Sequence, residues 1–410
     1  MPEFFSDFLH ATLVSSSDVD SIRAVLITSL AVAFVMYAKT RLVTGGTLTP
    51  AWFLLLILEE RWAALVGTVI TTALVVVLLR YLILPRRALT RAWQAAISVL
   101  LGVLLTAVVV IAHPVLAGLE LSGAWGFLIA VGLYVTPGLI AYDMLRQGVP
   151  KTAMSIGMVT AVSGLLSLPV VTALSKLVQG GSAVVIVGAG RIPENLWWLA
   201  TLVAVSVTVM WKLGFGMRAG GFLAGLFVYE ALDWQTTALA VVFALLTYLL
   251  VHQFDRRVVL TPRQRFQVSL LLGALLSWFG LYWFTQLNFV PAIMANGYPI
   301  APLLIVGLLA ADFSRERRHI PQVVIGMLVV ALAVGLGVWV AQASAWGYVA
   351  VVGVLLGILL FWLLAENRRF YRAIQPALEL GGRYASRVPA MRSNGYASVT
   401  SDSAPRSKIH

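Results

Sequence analysis

Gly138-Leu139-Ile140-Ala141-Tyr142-Asp143 returns 169 residues later as Gly307-Leu308-Leu309-Ala310-Ala311-Asp312. Outward from this pair the echoes keep their order. Thr44-Gly45-Gly46 matches Ala219-Gly220-Gly221 at an offset of 175, and Arg86-Arg87 matches Arg256-Arg257 at 170. Arg91-Ala92-Trp93-Gln94 matches Gln264-Arg265-Phe266-Gln267 at 173, and Ile156-Gly157-Met158 matches Ile325-Gly326-Met327 at 169. Ordered matches at a slowly drifting offset are the signature of an internal duplication.

What is duplicated is a membrane unit. The chain has 410 residues, 60% of them hydrophobic and 11% charged, with a mean hydropathy of +0.92. Soluble domains carry about 25% charged residues, so a water-soluble globular protein is excluded. At about 20 apolar residues per span, the sequence reads as an all-α polytopic membrane protein with thirteen hydrophobic segments. Six fall in each repeat and one follows. Segments 48–58 and 222–232 are too short for an unaided perpendicular span and read as half-helices, tilted segments or re-entrant pieces. The organisation predicted is an outer N-terminal segment 1–21, a first repeat 22–175, an outer linker 176–195, a second repeat 196–342, an extra helix 343–365 and a basic tail 366–410. The tail, rich in Arg, Ser and Pro, reads as cytoplasmic and disordered.

Charge supplies the orientation. With the N-terminus outside and every segment crossing, 25 of the 29 Lys and Arg residues fall on the inner side and 4 on the outer side. Cytoplasmic loops carry such an excess, so the net charge of +12 reads as topology and no nucleic-acid partner is expected. An even number of segments per copy gives the copies one shared orientation, related by an axis along the membrane normal. The sequence has no cysteine, which excludes disulfides and thiolate catalysis, and its five histidines are scattered without ligand spacing. No metal site or cofactor is expected, and no nucleophile–base pair or phosphate loop is legible.

Four groups of residues are candidates for function. Gly45, Gly46 and Pro50, echoed by Gly220 and Gly221, allow a broken helix whose free amides face an anion; close helix packing through small residues is the other reading. Pro137 and Gly138, with Gly307 in the second copy, allow a kink that frees a carbonyl. Inner arginines Arg86, Arg87 and Arg91, then Arg256, Arg257, Arg263 and Arg265, then Arg315, Arg317 and Arg318, satisfy topology and also suit carboxylates, which the guanidinium fork binds through two hydrogen bonds. Asp143 beside Arg146 and Asp312 beside Arg315 are candidate ion pairs at i,i+3 spacing.

Pro137-Gly138-Leu139-Ile140-Ala141, followed by Gln147-Gly148 and Ser163-Gly164, resembles the signature stretch of the PgsC/CapC family, the membrane subunits of bacterial poly-γ-glutamate synthases. Thr44-Gly45 with Pro50 resembles that family's Gly/Pro-rich stretch, and Arg263-Gln264-Arg265-Phe266 its basic-aromatic loop. The chain looks like two family units fused. The second copy departs in having Val306-Gly307 where the first has Pro137-Gly138, and the first in reading Arg91-Ala92-Trp93. A related family of seven-helix modules, associated with transglutaminase-like domains, shares the same general pattern. The resemblance implies a bacterial inner-membrane protein that anchors a cytosolic amide ligase similar to Mur ligases, with further small membrane subunits and an anionic polymer as partners. It also implies that ATP is used on the ligase. On this reading, joint loss of Arg263 and Arg265 abolishes polymer. A stand-alone transporter of an anionic solute and a scaffold without a conduit are the rival expectations.

Overall fold

Apolar runs, with most of their charges in the gaps between them, leave the backbone one economical choice in lipid. Every N–H and C=O must be satisfied within its own segment, and a helix does that. The computed structural model describes residues 19–58, 60–85, 90–112, 126–177, 192–231, 234–286, 301–344 and 346–358. Among these there are thirteen helices and no strand. The first repeat holds α1 (Val19–Thr40), α2 (Thr49–Leu58), α3 (Trp62–Val77), α4 (Arg91–Ala112), α5 (Gly126–Gln147) and α6 (Val149–Leu177). The second holds α7 (Trp197–Phe215), α8 (Phe222–Ala231), α9 (Trp234–Arg257), α10 (Pro262–Gln286), α11 (Ala301–Arg315) and α12 (Ile320–Ala343). A last helix, α13, runs Gly347–Ile358. Seven of these helices are long and apolar enough to cross a membrane, and α3 is extended by a π-helical turn, Leu78–Ile83.

Helix ends run past the apolar segments where the next residues are basic. The apolar run of α9 ends at Phe254, yet the helix continues to Arg257, because cations in a last turn are favoured by the partial negative charge of the unpaired carbonyls. The two short segments are helices of 10 residues each, α2 and α8, about 15 Å long at 1.5 Å per residue. Most of α2 is buried, Pro50 in its first turn included. Large apolar side chains are exposed on the long helices, among them Val66, Val69 and Ile70 on α3 and Leu332, Leu336 and Trp339 on α12. Water would not tolerate so continuous a surface; hydrocarbon does.

Packing repeats with the sequence. Helix α4 packs on α5 as α10 does on α11, α1 on α6 as α7 does on α12, and α2 on α6 as α8 does on α12. The two halves meet reciprocally: α1 of the first lies against α10 of the second, and α7 of the second against α4 of the first. At the α4–α5 crossing, a Cβ on Gly102 would stand 2.6 Å from the Gly138 nitrogen, and one on Gly138 would strike the Ser98 carbonyl and the Val99 Cα. The duplicate crossing is the same, Gly273 against Gly307 at 2.6 Å. Glycine-on-glycine contact lets two backbones approach where lipid offers no hydrophobic drive toward association. Helix α5 runs unbroken through Pro137, so Pro137-Gly138 sits at a crossing within a continuous helix.

These contacts are backbone-limited, so neighbours cannot yield to a side chain. Gly138→Val is expected to lower unfolding stability in detergent by about 1–3 kcal/mol. Gly157→Ala, with no heavy atom within 4 Å of its Cβ position, is expected to be neutral or stabilising by up to about 1 kcal/mol. Thermal unfolding of the two purified variants checks the difference.

Candidate functional site

Between α1 and α2 the chain leaves helical geometry for residues 41–48. Arg41 has φ +59, Gly45 +67 and Gly46 +109, and Thr44 and Gly45 are buried. Non-helical backbone inside a membrane protein survives only when its polar groups find partners in the protein. Here several of the partners are side chains. Gln147, the last residue of α5, accepts from the Val43 N–H at 3.0 Å and donates back to the Val43 carbonyl. Ser155 of α6 donates to the same carbonyl at 2.7 Å. Thr49 donates to the Gly45 carbonyl at 2.6 Å. The N–H groups of Gly45 and Gly46 face the carboxylate of Asp143.

The free glycine amides thus face an anion, as the sequence pattern predicts for a broken helix, and the anion is the protein's own Asp143. That residue is 6% exposed. Only glycine fits the turn: Gly45 combines positive φ with a Cβ position 2.8 Å from Ile140 Cγ1 and 3.2 Å from Ile156 Cδ1. Among the described residues, the cation within 4 Å of Asp143 comes from the other half. Arg263 of α10 places Nη2 3.9 Å from Oδ2 and its guanidinium 5.2 Å from the centre of the Tyr37 ring of α1. Arg146, the neighbour at i,i+3, lies over Tyr142 at 5.4 Å instead.

The second copy builds the corresponding site differently. Residues 216–221 leave helical geometry, with Gly220 at φ +71 and Gly221 at φ +77. A Cβ on Gly220 would meet Leu309 at 2.8 Å; Leu309 is the counterpart of Ile140. Asp312, 7% exposed, accepts from Arg218 Nη1 at 3.2 Å, a cation of its own half. Arg315 lies over Phe266 at 5.4 Å. Lys212, at the position equivalent to Tyr37, is within electrostatic range of Asp312, Arg218 and Arg315. Asp255, at the end of α9, takes Arg265 at 2.6 Å and Arg317 at 3.8 Å.

The inner arginines therefore divide. Arg263, Arg265 and Arg317 are tied to carboxylates, although the Nε–H of Arg263 and of Arg265 is buried without a hydrogen-bond partner. Arg91, Arg256, Arg257 and Arg318 are exposed, with no ion pair or hydrogen bond among the described residues. Arg86 and Arg87 lie outside the described residues. Sequence reading missed Tyr37, Lys212, Arg218 and Asp255, each of which interacts with a residue on another helix. Gly102 and Gly273 also escaped it, although each repeats in the duplication as Leu-Gly followed by a small apolar residue.

Removing Asp143 leaves the buried guanidinium of Arg263 without its carboxylate. Asp143→Ala is expected to cost about 1–3 kcal/mol, the penalty for leaving a buried polar group without its partner. Arg263→Met should cost less, and the double variant less than the sum of the two, by the coupling that neighbours in one network show. Denaturant unfolding of the three variants in detergent measures this, and strict additivity would remove the pair from the account.

A family model described as Capsule biosynthesis CapC matches the chain twice, over residues 28–153 and 203–323. No curated protein and no solved structure matches it.

Proposed function

The chain belongs to the capsule biosynthesis CapC family through both of its halves, and from that membership we propose that it is the membrane subunit of a synthase making a poly-γ-glutamate-type polymer. Its role in capsule polymer synthesis follows from the family. The finer reading is that it anchors a cytosolic ATP-dependent amide ligase and assists export of the anionic product across the bacterial inner membrane. By the positive-inside rule, the end of the bundle carrying the arginines faces the cytoplasm, with the N-terminus outside and the C-terminus inside.

One observation carries the reading. The exposed guanidinium groups of Arg91, Arg256, Arg257 and Arg318 stand at the same end of the bundle as two glycine turns already closed by internal carboxylates. A cationic surface raises the local concentration of a polyanion or of an acidic protein face. The arginine fork matches a carboxylate with two parallel hydrogen bonds, and the unpartnered Nε–H groups of Arg263 and Arg265 add donor capacity beside that surface. Fusion of two units fixes the reciprocal α1–α10 and α4–α7 contacts within one chain, so one polypeptide does the work of a pair.

The division among the arginines selects the test. Joint loss of Arg263 and Arg265 would also remove the cation within 4 Å of Asp143 and the nearer of the two on Asp255, mixing folding with function. The triple variant Arg256→Gln/Arg257→Gln/Arg318→Gln leaves the internal pairs intact. Expressed with the ligase of its own host, it is expected to insert at wild-type abundance and to lower secreted polymer at least tenfold. Unchanged polymer yield would overturn the assignment of this face. Uptake or efflux of an anionic solute by liposomes holding the purified chain alone would favour the transporter.

A further inference from the structure

The two seams between the halves are related by the duplication and should pack alike. They do not. At the α1–α10 seam, Ala24, Val25, Leu26 and Leu30 close against Leu270 and Ala274 in one buried cluster. At the α4–α7 seam a cleft of about 200 Å³ remains, walled by Trp93 and Val99 of α4 and by Val205 and Val209 of α7, with Phe222 and Lys212 also lining it. We infer that this cleft holds an acyl chain of an anionic phospholipid of the inner leaflet, with the lipid phosphate on Lys212.

Three observations commit the cleft to that occupant. Its charge lies at one end: Lys212 is in the last turn of α7, exposed, on the arginine-bearing side where the inner headgroups lie. From Lys212 the apolar wall reaches Val205, seven residues or about 10 Å deeper along the helix. A molecule with one anionic head and a hydrocarbon tail matches this polarity, and basic pockets between membrane helices on the cytoplasmic side hold such headgroups. A polyanion carries carboxylates along its whole length, and those would be desolvated against Val99, Val205 and Val209 without partners. Two of the wall residues have donors to spare. Trp93 Nε1 and Thr208 Oγ1 are buried and have no hydrogen-bond partner, and both residues line the cleft. The duplicate seam has Phe266 in place of Trp93 and Tyr37 in place of Lys212, so it lacks the indole donor and the ammonium together.

The full chain, purified in mild detergent and offered equal amounts of phosphatidylglycerol and phosphatidylcholine, is read by native mass spectrometry. Wild-type protein is expected to retain one phosphatidylglycerol in at least fivefold preference. Val209→Trp, which fills the cleft, should lose that lipid. Lys212→Met, which spares the packing, should bring the preference to about one. Lys151→Met, an exposed cation outside the cleft, should leave it unchanged. Equal retention of the two lipids by the wild type, or a preference that survives both cleft variants, would overturn the site. None of these readings depends on polymer synthesis.

Discussion

A buried stretch of non-helical backbone must find a partner for every polar group it carries. The 41–48 segment meets that demand with side chains brought from two other helices. Gln147 and Ser155 hold Val43, and Asp143 faces the amides of Gly45 and Gly46. Much else follows from this. Because the segment is non-helical and rises into the protein, α2 needs only 10 residues. Because its anchor is a buried carboxylate, a cation must approach, and Arg263 does so from the opposite half. The turn that shortens one helix thereby ties the two copies together.

Duplication then allowed the copies to diverge around a shared frame. Both retain the aspartate, the glycine pair and the glycine crossing of the fourth and fifth helices. Their cations have moved. Position 43 is valine, held through its backbone; the equivalent position 218 is arginine, which reaches Asp312 itself. Position 37 is tyrosine under two guanidinium groups, Arg41 and Arg263, whereas its equivalent is Lys212. One seam is filled with aliphatic side chains and the other retains a cleft. A pair of identical single units could not differ in this way.

Periodicity and composition carried the helices, the two short segments and the twofold repeat, because lipid imposes one rule on every residue it surrounds. Partner choice was hidden for a definite reason. Asp143 has Arg146 one turn away, and that spacing favours a local pair; the fold instead presents Arg263, 120 positions along the chain. The same holds for Asp312, beside Arg315 in sequence but bonded to Arg218 in space. Gly138 and Gly307 were legible as special residues, since each stands in the repeated motif. Their partners Gly102 and Gly273 were not, because a lone glycine in an apolar run carries no sign of what crosses it. Arg86, Arg87 and the basic tail lie outside the described residues and add nothing to the geometry.

The central claim is that the cationic end of the bundle is where a cytosolic ligase and its anionic product meet the membrane. The most direct measurement is affinity capture of the tagged chain from mildly crosslinked membranes, assayed for glutamate-dependent ATP hydrolysis. The account predicts hydrolysis captured with the wild type and lost with Arg256→Gln/Arg257→Gln/Arg318→Gln at equal membrane abundance. Absence of hydrolysis from the wild-type capture, or equal hydrolysis from both, would contradict it.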